Sequence, residues 1–191
     1  SDVYKRQACV KMQAPAGEEF IYRERATGNT AIQEIFGRVA ESLKNIPDYK
    51  KKDAVYAEKH FPFAGEIYMG HLRYSTTGRS GLTYIHPFLR RHSWQARSLC
   101  ICGNFNITNV DEIFDILTSK GQHPRYNADT YLLLEQLGHC LDLENEKLYK
   151  EAHDNKVEHD KITRYIEEHI NIANIFRTCL LYTSPSPRDR G

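Results

Sequence analysis

Three short stretches of this chain carry side chains that could act together on a small amide. The first, Gly70 to Gly78, reads GHLRYSTTG. The run Glu66–Leu72 before it alternates like a strand and would deliver Arg73 to the edge of a small-residue loop. Arginine offers a planar fork for a carboxylate, and Ser75, Thr76 and Thr77 add hydroxyl donors. The second, Gly103 to Asn109, reads GNFNITN and follows a strand expected over Arg97–Cys102. The side-chain amide of Asn104 and the backbone N–H of Phe105 make a workable oxyanion hole there. The third, NADT at Asn127–Thr130, puts Asp129 at a helix start. Its carboxylate can pair with an ammonium group or complement the helix dipole. Arg73 for a carboxylate, Asn104 for a reacting carbonyl and Asp129 for an ammonium would together read glutamine, if the three converge. Plainer readings stand beside these: a surface arginine and a turn, cap and turn duties for Asn106 and Asn109, and a dipole partner in Asp129.

The elements that must hold these residues are legible in outline. Ala8–Met12 and Glu19–Arg23 alternate like strands around a turn at Ala14–Gly17. Thr30–Lys44 predicts a helix, with Thr30 and Gln33 as a capping box and Ile32, Ile35, Phe36, Val39 and Leu43 on one face. Asp48–His60 is charged and reads as an exposed insertion. Ser75–Pro87 reads as loop. Asn109–Lys120 predicts a helix capped by Asn109 and Glu112, with Val110, Ile113, Phe114 and Leu117 inward and Gly121 closing it. A longer helix from Asp129 carries Leu133, Leu134, Leu137 and Leu141. Beyond Leu143 the chain is polar and helical, with a thinner stripe of Ile162, Ile166, Ile170 and Ala173. Strands early and helices late predict an α+β fold.

Composition excludes several classes. The 191 residues are 40% hydrophobic and 27% charged, with a formal net charge of +1. No apolar run approaches the roughly 20 residues of a membrane span, and the charge balance points to neither nucleic acid nor an anionic membrane. The five cysteines form neither a disulfide framework nor paired CxxC knuckles, so no metal site is expected and a reducing cytoplasm is the simplest compartment. Both ends read as foreign. Ser1–Gln7, SDVYKRQ, is the translation of a transposase adapter used in sequencing libraries. Residues 179–191, which begin CLLYTSPSPRD, translate its reverse complement and flank. Removing both takes four basic residues (Lys5, Arg6, Arg188, Arg190) from 26 and two acidic ones (Asp2, Asp189) from 25, leaving a net charge of −1.

In order and spacing, GHLRYSTTG, GNFNITN and NADT resemble the class II glutamine amidotransferases. Those proteins carry a GHxRYxTxG loop, an HNGNxTN turn and a later sDTE segment. The Tyr-Ser-Thr-Thr run after Arg73 is most similar to the amidophosphoribosyltransferase branch. The resemblance spans Gly70 to Leu137. It implies an N-terminal-nucleophile hydrolase fold, a four-layer αββα sandwich. It also implies that glutamine is hydrolysed through a thioester on an N-terminal cysteine whose own amine is the base. The ammonia would pass to a phosphoribosyltransferase domain that makes phosphoribosylamine for purine synthesis. By carry-over, Arg73 and Thr76 contact the glutamine carboxylate end, Asp129 its amino group, and Asn104 with the Phe105 N–H the oxyanion. Where the family has His-Asn-Gly, this chain has Gly103-Asn104-Phe105, so a side chain stands where glycine allows φ > 0.

The resemblance places the nucleophile upstream of residue 8. Cys9 follows Ala8 in a strand-like run and offers no free amine. The expected organisation is a partial amidotransferase domain over 8–145, a helical extension over 146–178, and adapter-derived ends at 1–7 and 179–191. No cofactor is expected in this segment, because magnesium belongs to the phosphoribosyltransferase domain, which lies outside it. Glutamine, that C-terminal domain and further copies of the chain are the expected partners. The residues also admit a class II amidotransferase with another ammonia acceptor, and a non-catalytic glutamine-binding or oligomerisation module.

Overall fold

The computed structural model describes residues 3–11, 14–15, 17–26, 28–74, 86–103 and 105–183, and for 3–7, 72–74 and 180–183 it describes the backbone. Helix and sheet are mixed, as the α+β reading expects. The chain divides into two units, residues 1–87 and 88–191.

The first unit is built on a three-stranded antiparallel sheet in the order β2-β1-β3. Its strands are β1 (Val3–Val10), β2 (Ile21–Ala26) and β3 (Ile67–Tyr74). The central strand, β1, pairs with β2 from Lys5↔Ala26 to Val10↔Ile21 and with β3 from Val3↔Tyr74 to Val10↔Ile67. It therefore extends across the expected junction between residues 7 and 8. Ala8 and Cys9 are buried on successive positions, so both faces of the sheet are covered there. Gly65 lies against this strand: a Cβ on it would stand 2.4 Å from the Val10 carbonyl oxygen and 2.7 Å from Cys9 Sγ.

Helix α1 (Ala31–Leu43) packs Ala31 and Ile35 against Ala26. The apolar face is narrower than its sequence suggests. Ile32 is 42% and Phe36 59% exposed, so burial of Ile35 is the main anchor, at about 1.5–3 kcal/mol. The predicted capping box is absent. Thr30 makes no side-chain cap bond, and its hydroxyl instead donates to Glu34 at 2.8 Å. The charged segment after α1 forms two short, largely exposed helices, α2 (Asp48–Lys51) and α3 (Ala54–His60). Asp53 caps α3 by accepting from the Val55 and Tyr56 amides.

The second unit is organised by one long helix. It begins with a hairpin-like pair, β4 (Phe88–Arg90) and β5 (Leu99–Ile101), in the register Phe88↔Ile101. Strand β4 has three residues and no sequence period to announce it, and β5 is shorter than the strand expected over Arg97–Cys102. Helix α4 (Val110–Ser119) buries Ile113 and Leu117 against Leu132, with Val110 and Phe114 partly buried alongside. Its end is a Schellman motif: the Gln122 amide donates to the Leu117 carbonyl and the Gly121 amide to that of Thr118. Gly121 takes φ +79°, which explains the glycine there.

Helix α5 (Asp129–Asp154) buries residues on several faces in turn. Leu132 meets α4, and Leu133 and Leu137 meet Leu99, Ile101 and Cys179. Leu148 and Ala152 meet Ile162 and Ile166 of α6 (Ile162–His169). Helix α5 runs unbroken through position 145. Helix α7 (Ile172–Thr183) buries Ile175 and Cys179 and continues past the expected junction at residue 179. Ala173 is exposed, so the last turn of the predicted stripe belongs to Ile175 instead. Among the described residues no helix is long and apolar enough to cross a membrane.

Candidate functional site

The second and third motifs are physically joined. Asp129 is the first residue of α5, and its Oδ2 accepts a hydrogen bond from the Ile107 backbone N–H at 3.2 Å. Two residues earlier, Asn127 Nδ2 donates to Asp111 Oδ1 on the first turn of α4 at 2.8 Å. The GNFNITN turn, the start of α4 and the start of α5 are thus tied into one polar corner. The corner rests on the Ile113–Leu117–Leu132 cluster, against which Ile107 also packs. Asp129 is half-buried. Among the described residues the Ile107 amide is its one hydrogen-bond partner. A carboxylate at a helix start that already accepts one backbone N–H is held in orientation before any ligand arrives.

Phe105 is 39% exposed, and its ring folds back over Gly103. A Cβ on Gly103 would stand 2.4 Å from Phe105 Cε2, so a larger residue there would displace the ring. Asn109 behaves differently from the prediction. It makes no cap bond to the backbone and donates its side-chain amide to Glu112 Oε2 at 3.1 Å.

In the other unit, Arg73 lies on β3, opposite Tyr4 of β1. The strand reading of the residues before it therefore holds. His71, from the same motif, stacks on His86 with ring centroids 4.7 Å apart and planes 13° apart, a packing role. Ser75, Thr76, Thr77, Gly78 and Asn104 lie outside the described residues. Asp129 and the Phe105 turn are brought into one corner, and Arg73 belongs to the separate first unit. Cys9 is fully buried, and burial pushes its thiol above the ordinary range despite a hydrogen bond with Tyr68. That is the opposite of what a nucleophilic thiolate needs.

Sequence reading missed the Ile107 amide and the Asn127–Asp111 bond. Neither has a sequence signal, because each joins groups 16 to 22 residues apart through backbone or short polar side chains.

Two curated relatives share sequence with the chain. An amidophosphoribosyltransferase of Archaeoglobus fulgidus is 32% identical over 78 residues. One of Pseudomonas aeruginosa is 29% identical over 93 residues. The chain is similar to amidophosphoribosyltransferases. The likeness takes in 41% and 48% of this chain and only 17% and 18% of the relatives' lengths. No family model and no solved structure matches the chain.

Proposed function

We propose that this segment belongs to the glutaminase half of an amidophosphoribosyltransferase, built as an N-terminal-nucleophile αββα sandwich. In this reading Arg73 and Thr76 hold the glutamine α-carboxylate and Asp129 Oδ1 takes the α-ammonium. A cysteine thiolate encoded upstream attacks the side-chain amide carbon. Asn104 and the Phe105 N–H stabilise the oxyanion, ammonia leaves, and water hydrolyses the thioester to glutamate. A following phosphoribosyltransferase domain uses the ammonia to displace pyrophosphate from phosphoribosyl pyrophosphate.

The observation that carries the reading is the corner at Asp129. Its carboxylate is oriented by the Ile107 amide, which belongs to the same turn as Asn104 and Phe105. That bond supports reading Asp129 and the turn as parts of one site. The sequence likeness to two amidophosphoribosyltransferases supports the same assignment.

The test is recovery of the intact gene from source DNA. It should encode a Cys-Gly start upstream of residue 8 and a phosphoribosyl-pyrophosphate loop downstream of residue 178. A start without that cysteine refutes the catalytic reading. A sugar-isomerase sequence downstream would move the ammonia to another acceptor. The chain as it stands should release no glutamate from glutamine, and measurable turnover would contradict the placement of the nucleophile.

A further inference from the structure

A cavity at the end of β1 uses none of Arg73, Thr76, Asn104, Phe105 or Asp129. It is an open cleft of about 290 Å³, at the lower edge of small-molecule pockets, and its lining includes Lys11 with the exposed Pro15, Glu18, Val55, Glu58 and Lys59.

Lys11 is the unusual member. It is only 3% exposed, whereas lysines that deep normally face a counter-charge. Its ammonium instead lies 5.2 Å from the centre of the Tyr22 ring. That contact partly compensates a desolvated cation and leaves its N–H donors for something else. Glu18 lines the same cleft as Lys11. Among the described residues no ion pair joins Lys11, Glu18, Glu58 or Lys59 to a partner. Two ammonium groups and two carboxylates therefore line one cleft. A simple anion would meet both glutamates, and a simple cation both lysines. A zwitterion satisfies both signs, and Pro15 and Val55 provide an apolar wall.

We propose that this cavity binds a free α-amino acid with an apolar side chain, its carboxylate on Lys11 and its ammonium towards Glu18 and Glu58. It is a second amino-acid site, independent of the glutamine corner in the other unit.

The test titrates the full chain with L-leucine and follows backbone amide NMR shifts. Two controls each lack one charge: 4-methylpentanoate and 3-methylbutylamine. Leucine should shift the amides of Lys11, Glu18, Val55, Glu58 and Lys59 saturably. Each control should bind about tenfold or more weakly, the loss of one charge-assisted hydrogen bond. Lys11→Met should abolish the response. Glu58→Gln lies on an exposed face of α3, so it should keep the fold and weaken leucine several-fold. The proposal is overturned if leucine gives no saturable shift at these residues. Equal binding of 4-methylpentanoate and leucine, or full leucine affinity in Glu58→Gln, would overturn it too.

Discussion

The position of Asp129 depends on α5 being fixed, and beside its apolar contacts one ion pair ties α5 to β4. Arg90 on β4 grips Asp142 in the middle of α5 with two guanidinium nitrogens, one of them donating to Oδ1 at 3.1 Å. The same nitrogen also donates to the Arg97 carbonyl at 2.9 Å. The two side chains are 18% and 21% exposed, so the pair is neither a surface bridge nor a fully buried one. Exposed pairs contribute about 0–1 kcal/mol, and breaking a buried pair costs about 3–5 kcal/mol. Discounted for the remaining solvent, Asp142→Asn should cost about 2 kcal/mol. Urea unfolding followed by helical circular dichroism measures this directly.

Gly138 adds a second arm. A Cβ there would stand 2.5 Å from Arg90 Cδ and 2.6 Å from Nε. Gly138→Ala should therefore destabilise the wild type despite a helix-propensity gain of about 1 kcal/mol. In the Asp142→Asn background Arg90 keeps only its bond to the Arg97 carbonyl and can shift more readily, so the same substitution should cost less. An Asp142→Asn cost below about 0.5 kcal/mol, or simple additivity with Gly138→Ala, would refute the reasoning.

Two further outcomes are expected. Lys156 closes α5 in the left-handed region at φ 56°, so Lys156→Gly should raise unfolding free energy by about 1 kcal/mol in the same assay, and a loss would show that its side chain matters more than its backbone. Tyr131 is pushed up to about 12, by burial first and then by Glu135. The native state holds that proton more tightly than the unfolded chain, so its contribution is fully present below about pH 10 and lost as pH rises through about 12. An ultraviolet phenolate titration should show a component near pH 12 that disappears in Tyr131→Phe.

Elements with a strong local period were legible in the sequence. Helix α4 declares itself through Ile113 and Leu117 and through Gly121, and α5 through its leucines. The motif residues were legible as types: Asp129 stands at a helix start and Arg73 on a strand, as their surroundings imply. What failed was local chemistry with a nearby competitor. Thr30 bonds the Glu34 carboxylate rather than a backbone amide, and Asn109 bonds Glu112 in the same way. A charged side chain one turn away outcompetes the cap. Strand β4 was invisible because three residues carry no period; it exists through pairing with β5 and the Arg90 anchor on α5. Lys11 was equally opaque, since a lysine ending a strand reads as solvated until the fold covers it.

The most direct measurement is a kinetic split in the complete enzyme carrying this segment. Asp129→Asn removes the charge proposed to hold the glutamine ammonium but can keep the Ile107 hydrogen bond. The glutamine KM should rise by about ten- to a hundred-fold, the worth of a charge-assisted contact, while synthesis from added ammonia stays unchanged. Equal loss of glutamine-dependent and ammonia-dependent activity, or an unaltered glutamine KM, would contradict the assignment of Asp129 as a substrate ligand.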